Sequence, residues 1–169
     1  MIFSAIKERM NKKVKEIKKL YQATIDGGEP EIFHKKCDNI ANTLVLYKTE
    51  GNRRFGAFAS ECWDQSSNYK IDKNCFLFSI DKNKIYPPKD NNYYQIPCHS
   101  FDGPSFIYNG YYCIGIFEKS AIKNKTLRTN ENAHPFHKEL FDGGLNVLSE
   151  DGLFKGIYAK EYEVFQIIF

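Results

Sequence analysis

The 169-residue sequence predicts an α+β fold, with two antiparallel sheets packed as a β-sandwich flanked by short helices and an extra amphipathic helix at the N-terminus. In the first 42 positions the apolar residues recur at helical spacing. From Thr43 onward they form short β-type runs that are separated by turn residues. The chain also lacks the regular alternation of strands and helices that builds a parallel sheet. We therefore expect antiparallel sheets and disfavour a doubly wound fold.

The first predicted helix covers residues 4–21. Its apolar residues recur every three or four positions and form a narrow stripe. Residues 1–20 hold seven Lys and Arg against Glu8 and Glu16, a charge of +5, so the other 149 residues carry −2 of the net +3. Because such a stripe needs a partner surface, we predict a docking arm over residues 1–19, packed either on its own domain or on a protein partner, and a separate domain over residues 20–169. The candidate interaction residues are Ile6, Met10, Lys12, Lys13, Val14 and Ile17.

The following elements are predicted in chain order. A second helix begins at Pro30, because proline suits the first turn of a helix. Residues 43–49 and 54–60 form a β-hairpin around Gly51 and Asn52, and residues 75–80 and 85–86 form a second strand pair. Further strands are expected at 93–96, 111–117, 145–148 and 161–169, and a surface loop at 119–131.

The cysteine pattern predicts free thiols. Five cysteines are present, and at least twelve residues separate any two neighbours, which argues against a disulfide framework and against a C-x-x-C pair. No stretch has the 20 or so apolar residues that a membrane span requires, and the N-terminus does not look like a secretory signal. We expect a cytoplasmic protein.

Catalytic motifs are missing from the sequence, including the phosphate-binding loop, the nucleophile elbow and H-E-x-x-H. His34 and Cys37 lie three residues apart on the second predicted helix, where an imidazole could activate a thiol; a buried structural thiol is the alternative. Zinc-ligand types also occur, but their scatter lacks the close pairs of a structural zinc site; they are Cys98, His99, Cys113, His134 and His137. We therefore predict no enzyme activity, no metal and no cofactor.

Two other features could mark binding. The lysines of the first helix could neutralise nucleic acid or anionic lipid, but no interleaved aromatic and Arg residues follow for base stacking, so no nucleic acid is expected. Trp63 is a candidate interface anchor, and the alternative is that it closes the core. No small-molecule substrate is evident.

Five motifs in order resemble those of TLDc domains. Residues 20–27, Leu-Tyr-Gln-Ala-Thr-Ile-Asp-Gly, precede Phe-His-Lys-Lys-Cys-Asp at 33–38 and are similar to the opening signature. Residues 43–63, 74–81 and 103–106 resemble the next strands and a Gly-Pro-x-Phe element, and 162–165 resemble the terminal strand. Phe165 replaces the usual Trp and the glycine-rich stretch is reduced to Gly143-Gly144, which resembles divergent members found in protists.

The resemblance implies a β-sandwich, protection against oxidative stress and, in several members, binding to the vacuolar proton-pumping ATPase. It brings no catalytic residues. The motif positions that we expect to act as scaffold are Gly27, Phe33, His34, Cys37, Asp38, Gly56, Gly103, Pro104, Phe106 and Glu163. The expected function is therefore a non-catalytic protein-interaction module on a larger assembly. The alternatives are a small structural subunit of a cytoskeletal or ciliary complex and a thiol-based peroxide scavenger.

Overall fold

A computed structural model describes residues 1–89, 92–117, 126–128 and 157–169. Three helices occur in these residues: α1 Ile2–Met10, α2 Ala23–Asp26 and α3 Pro30–Cys37. The strands there are β1 Glu16–Gln22, β2 Thr43–Thr49, β3 Arg54–Ala59, β4 Tyr69–Asp72, β5 Phe76–Ser79, β6 Lys84–Tyr86, β7 Tyr94–Pro97, β8 Asp102–Tyr108, β9 Tyr111–Phe117, β10 Thr126–Arg128 and β11 Ile157–Ile168.

The strands form two antiparallel sheets that share β11. Sheet A has the order β1-β11-β2-β3-β5-β6, and sheet B has the order β4-β7-β8-β9-β10-β11. The first residues of β11 pair with β10, and the rest of this long strand lies between β1 and β2. The predicted α+β fold with two antiparallel sheets, short helices and an N-terminal helix is confirmed.

The main core lies between the two sheets. Val45 and Tyr47 of β2 belong to it together with Phe106 of β8 and Ile114 of β9, and α3 contributes buried residues at one side. The hydroxyl of Tyr47 donates a hydrogen bond of 2.7 Å to the carbonyl of Pro104 and so joins sheet A to β8. Because apolar residues of both sheets meet there, burial of this face holds the sandwich together.

A second, smaller core covers the opposite face of sheet A. Successive residues of a strand point to opposite faces, so Leu44 lies in this second core although its neighbour Val45 lies in the main one. Helix α1 covers the second core with Ile6, whose side chain is 0% exposed. The other fully or nearly buried members are Phe58, Phe76, Phe78 and Ile167.

The predicted helix over residues 4–21 is wrong beyond Met10. Asn11 adopts a left-handed conformation, with φ 51°, and ends α1. The chain then returns as β1, which pairs antiparallel with β11 from Glu16 opposite Ile168 to Gln22 opposite Glu163. Pairing with β11 satisfies the backbone groups on one side of residues 16–22, and the apolar spacing of the sequence does not indicate such a distant partner. The predicted division between residues 19 and 20 falls inside β1 and stays a prediction.

Most of the predictions that rest on turn residues and short β-type runs agree with the structure. Both strand pairs form as β2–β3 and β5–β6, α3 begins at Pro30, and β7, β9 and β11 lie at three of the other four predicted positions. Asn52 has φ 61° in the first hairpin turn. The predicted strand at 145–148 lies outside the described residues, and the predicted loop at 119–131 contains β10. Strands β4 and β8 were missed.

Candidate functional site

A groove lies between α1 and the chain segment that returns beside it. It has a volume of about 550 Å³, within the range of about 300–1,000 Å³ that is usual for binding clefts. Residues of α1 form one wall, and the loop after α1 with the start of β1 forms the other. The lining residues are Phe3, Ser4, Lys7, Lys13, Val14, Lys15, Glu16 and Ile17.

Contacts on both walls hold the groove in place. Helix α1 is anchored by Ile6 in the second core and by Arg9, whose Nε and Nη2 donate hydrogen bonds of 2.8 and 2.7 Å to the carbonyls of Asn74 and Lys73. The returning chain is anchored where the backbone N–H of Lys15 donates to the carbonyl of Ile168 at 2.8 Å. The groove is therefore a preformed feature of the fold.

The groove combines exposed apolar side chains with positive charge. Phe3 is 48% exposed and Ile17 is 44% exposed, so both present apolar surface to solvent. Lys7, Lys13 and Lys15 line the same groove, and none of the three forms an ion pair with a described residue. Glu16 supplies one carboxylate. The net charge of the lining residues is positive.

The structure separates the residues that the sequence placed on one helical stripe. Lys13, Val14 and Ile17 line the groove, whereas Met10 is half-buried against the second core. Ile6 is buried in that core and so does not face a partner, contrary to its proposed interaction role. Lys12 lies above the ring of Phe169 at 5.6 Å, outside the groove lining.

Five groove residues were not among the interaction candidates. Phe3 and Lys7 are four residues apart on α1, so they share a helix face. Phe3 also lies three residues before Ile6, at the spacing of the apolar stripe, so extending the stripe toward the N-terminus was the signal that could have been used. The other three are Ser4, Lys15 and Glu16.

Trp63 is a core residue, and its proposed role as an exposed interface anchor is wrong. Its side chain is 0% exposed. The indole ring meets Phe33 of α3 and Phe106 of β8 edge to face, with centroid distances of 5.3 and 5.9 Å. Trp63 therefore closes the main core between α3 and sheet B, as the alternative interpretation held.

His34 is a buried structural connection. Its Nδ1 lies 2.7 Å from the Asp38 carboxylate, and its Nε2 lies 3.0 and 2.9 Å from the carbonyl oxygens of His99 and Asp102. Both ring nitrogens thus face oxygen acceptors. The ring ties α3 to the connection between β7 and β8, and these contacts do not direct it at Cys37.

The profile of the TLDc domain family matches residues 1–168, essentially the whole chain. The chain belongs to the TLDc domain family. A comparison with curated proteins found no match. Membership suggests a non-catalytic interaction module related to oxidative stress.

Steric fit or bonding explains why several TLDc motif positions carry the residues that they do. A Cβ at Gly56 in β3 would lie 2.0 Å from the carbonyl oxygen of Val45 in the paired strand β2, so no larger residue fits. Gly27 has φ 116°, and its carbonyl accepts a 2.5 Å hydrogen bond from the Tyr21 hydroxyl. Glu163 forms an ion pair with Lys19 across β11 and β1. These positions support the TLDc scaffold.

The other motif positions are buried in the same scaffold. Phe33 and Cys37 lie in the main core on α3, and Phe106 lies in it on β8. Gly103 and Pro104 occupy the start of β8, where every residue is buried. We find that these motif residues build the interior of the domain.

Burial makes most thiols unreactive. It raises the pKa of Cys37 to about 12 and that of Cys98 to about 11, and it raises the pKa values of Cys75 and Cys113 as well. These four thiols stay protonated at neutral pH, and the thiolate is the nucleophile. Cys37 is also 0% exposed, and the contacts of both His34 nitrogens are made to other residues, so the structure gives no support to activation of Cys37 by His34.

Cys62 has a different environment. Its side chain is half-buried, and Lys70 donates to its Sγ at 3.4 Å and to its backbone carbonyl at 2.7 Å. Lys70 also pairs with Asp64 at 2.6 Å. Cys62 is thus the one cysteine of the five that is not fully buried and that has a cation beside it.

Among the described residues, no three His, Cys, Asp or Glu side chains come close enough together to hold a metal ion, and His134 and His137 of the zinc alternative lie outside those ranges. No helix in the same ranges has the length and apolar character to cross a membrane.

Proposed function

We propose that this TLDc protein is a non-catalytic module that docks on a larger protein assembly through the groove between α1 and β1. The first partner to test is the vacuolar proton-pumping ATPase, and we propose a cytoplasmic location and a role in resistance to oxidative stress. The observation that supports docking is the groove itself, where exposed Phe3 and Ile17 lie beside three lysines without ion-pair partners among the described residues.

The TLDc motif residues and the groove residues lie in different parts of the fold, and this separation supports the proposed function. The motif residues Phe33, Cys37 and Phe106 lie in the main core, whereas the groove lies on the opposite side of sheet A, next to the second core. Exposed aromatic and aliphatic side chains in a preformed groove act as anchors for protein partners. Residues of the docking surface can therefore be substituted while the motif residues still maintain the fold.

Affinity purification from cell lysate tests the proposal. The full chain with a C-terminal tag is compared with the double variant Phe3→Ala/Ile17→Ala, since both side chains are exposed and the fold does not depend on them. We expect subunits of the vacuolar ATPase to be recovered with the unaltered chain and to be depleted with the variant. Recovery of a different stable assembly supports docking but rejects this partner, and recovery of none rejects both.

One observation favours thiol-based peroxide reduction as a second candidate. Cys62 is half-buried beside the Lys70 ammonium, whereas the other thiols are buried. A peroxide-reducing thiol must be accessible and must react as the thiolate. Hydrogen peroxide consumption by the reduced full chain, compared with that of Cys62→Ser, tests this candidate; equal rates would reject it.

A further inference from the structure

We propose that the groove between α1 and β1 binds an acidic peptide segment of a partner protein that carries an apolar anchor residue. This inference rests on the proposed docking function and names the chemistry of the segment that docks. It follows from the charge, the apolar surface and the shape of the groove.

The positive charge of the groove lining favours a partner segment of negative charge. Lys19, Lys36 and Lys70, which lie elsewhere, are each paired with a carboxylate within the fold. In contrast, the three groove lysines 7, 13 and 15 are exposed and unpaired among the described residues, with Glu16 as the one carboxylate of the lining. Like charges gathered around one groove repel each other, so an anionic partner gains more there than a neutral one.

The exposed apolar side chains of the groove indicate that it recognises apolar groups of a partner as well as negative charge. Phe3 and Ile17 project from different walls, and half-buried Val14 lies with them in the lining. A free carboxylate or phosphate would leave this surface in water. A peptide with acidic residues beside a leucine or phenylalanine can satisfy the lysines and cover the apolar side chains at the same time.

The shape and orientation of α1 favour a peptide over a membrane. An amphipathic helix that binds a bilayer inserts its apolar face. The apolar face of α1 is already occupied, because Ile6 is 0% exposed and Met10 packs on the second core beneath the helix. Phe3, Val14 and Ile17 instead line a concave volume of about 550 Å³, which side chains of a peptide can enter.

Fluorescence anisotropy with defined peptides tests the inference on the full chain. The probe is a labelled short peptide in which Glu alternates with Leu, and the matched control peptide has Gln in place of every Glu. We expect saturable binding of the acidic peptide, weaker binding of the neutral one, and a loss of affinity as NaCl is raised.

Two charge-matched variants locate the binding site. Reversal of the groove charges, in Lys7→Glu/Lys13→Glu/Lys15→Glu, is expected to weaken peptide binding about tenfold or more, because three attractive charges become repulsive. The control is the set of Lys35→Glu/Lys89→Glu/Lys160→Glu, which changes three exposed lysines outside the groove. We expect this control to retain most of the affinity. Equal losses in the two variants would overturn the assignment to the groove.

The remaining outcomes separate this inference from the proposed function. Anionic phosphatidylserine vesicles are tested in parallel, and vesicle binding without peptide binding would overturn the inference in favour of a lipid surface. If the full chain captures an assembly and the groove-reversed variant captures it equally well, the inference fails and docking stands. If the acidic peptide binds through the groove but no assembly is captured, the inference stands and the proposed function fails.

Discussion

Replacement of Ile6 by alanine tests whether α1 is part of the fold or a free arm. Ile6 is 0% exposed and packs with Leu44, Phe58, Phe76 and Phe78 on the outer face of sheet A. The change removes three buried carbon atoms, which at about 0.8 kcal/mol each are worth about 2.4 kcal/mol in transfer free energy. The cavity left behind adds to this value, so we expect the free energy of unfolding to fall by about 3 kcal/mol.

Urea unfolding followed by circular dichroism measures this change. The matched control on the same helix is Phe3→Ala, which truncates a side chain that is 48% exposed and is expected to change the free energy of unfolding by about 0.5 kcal/mol or less. Both variants should keep the m-value of the unaltered chain. A loss below about 1 kcal/mol for Ile6→Ala, or equal losses in the two variants, would refute the packing of α1 on sheet A.

Three further predictions concern other parts of the fold. Gly56→Ala should lower the free energy of unfolding by about 3 kcal/mol or more, since its Cβ would meet the backbone of β2, whereas Gly51→Ala, with no atom nearer than 3.7 Å, should be close to neutral in the same urea assay. The pKa of Asp64 is lowered chiefly by its hydrogen bond with Lys70, so its contribution is full above the unfolded-state pKa of about 4 and is lost as the pH falls through the folded-state value. Asp64→Asn should therefore cost about 1 kcal/mol at pH 7 and nothing in strong acid; a constant difference across pH would contradict this. A thiol-labelling reagent should modify Cys62 first in the native chain and reach the other four cysteines on unfolding, and an unchanged fast phase in Cys62→Ser would be inconsistent with the structure.

The predictable parts of this fold are those that neighbouring residues determine. The β2–β3 hairpin joins two β-type runs through a short turn, and α3 begins at a proline, so each can be identified within about ten residues. Strand β8 was missed because Gly103-Pro104 has the composition of a turn. In the structure these two residues are fully buried in a strand, where the proline carbonyl accepts from Tyr47 of the opposite sheet.

Strand β1 could not be predicted from its own residues. The spacing of three residues between Val14, Ile17 and Leu20 fits a helix, but the partner that makes residues 16–22 a strand is β11, more than 140 residues further along the chain. For the same reason the groove could not be derived from a single stripe. Its two walls are a helix and a returning strand, so Ile6 and Ile17, placed on one face by helical spacing, are respectively buried and exposed.

The two faces of sheet A connect the fold to the function. One face packs on the main core, which contains the motif residues Phe33, Cys37 and Phe106 and beside which His34 ties α3 to the start of β8. The other face holds α1 through the second core, and α1 in turn forms one wall of the groove. Substitutions in the motif should thus abolish folding and binding together, whereas substitutions of exposed groove residues should abolish binding alone. Since the groove wall depends on Ile6, loss of α1 packing should also remove the proposed docking surface while the main core remains.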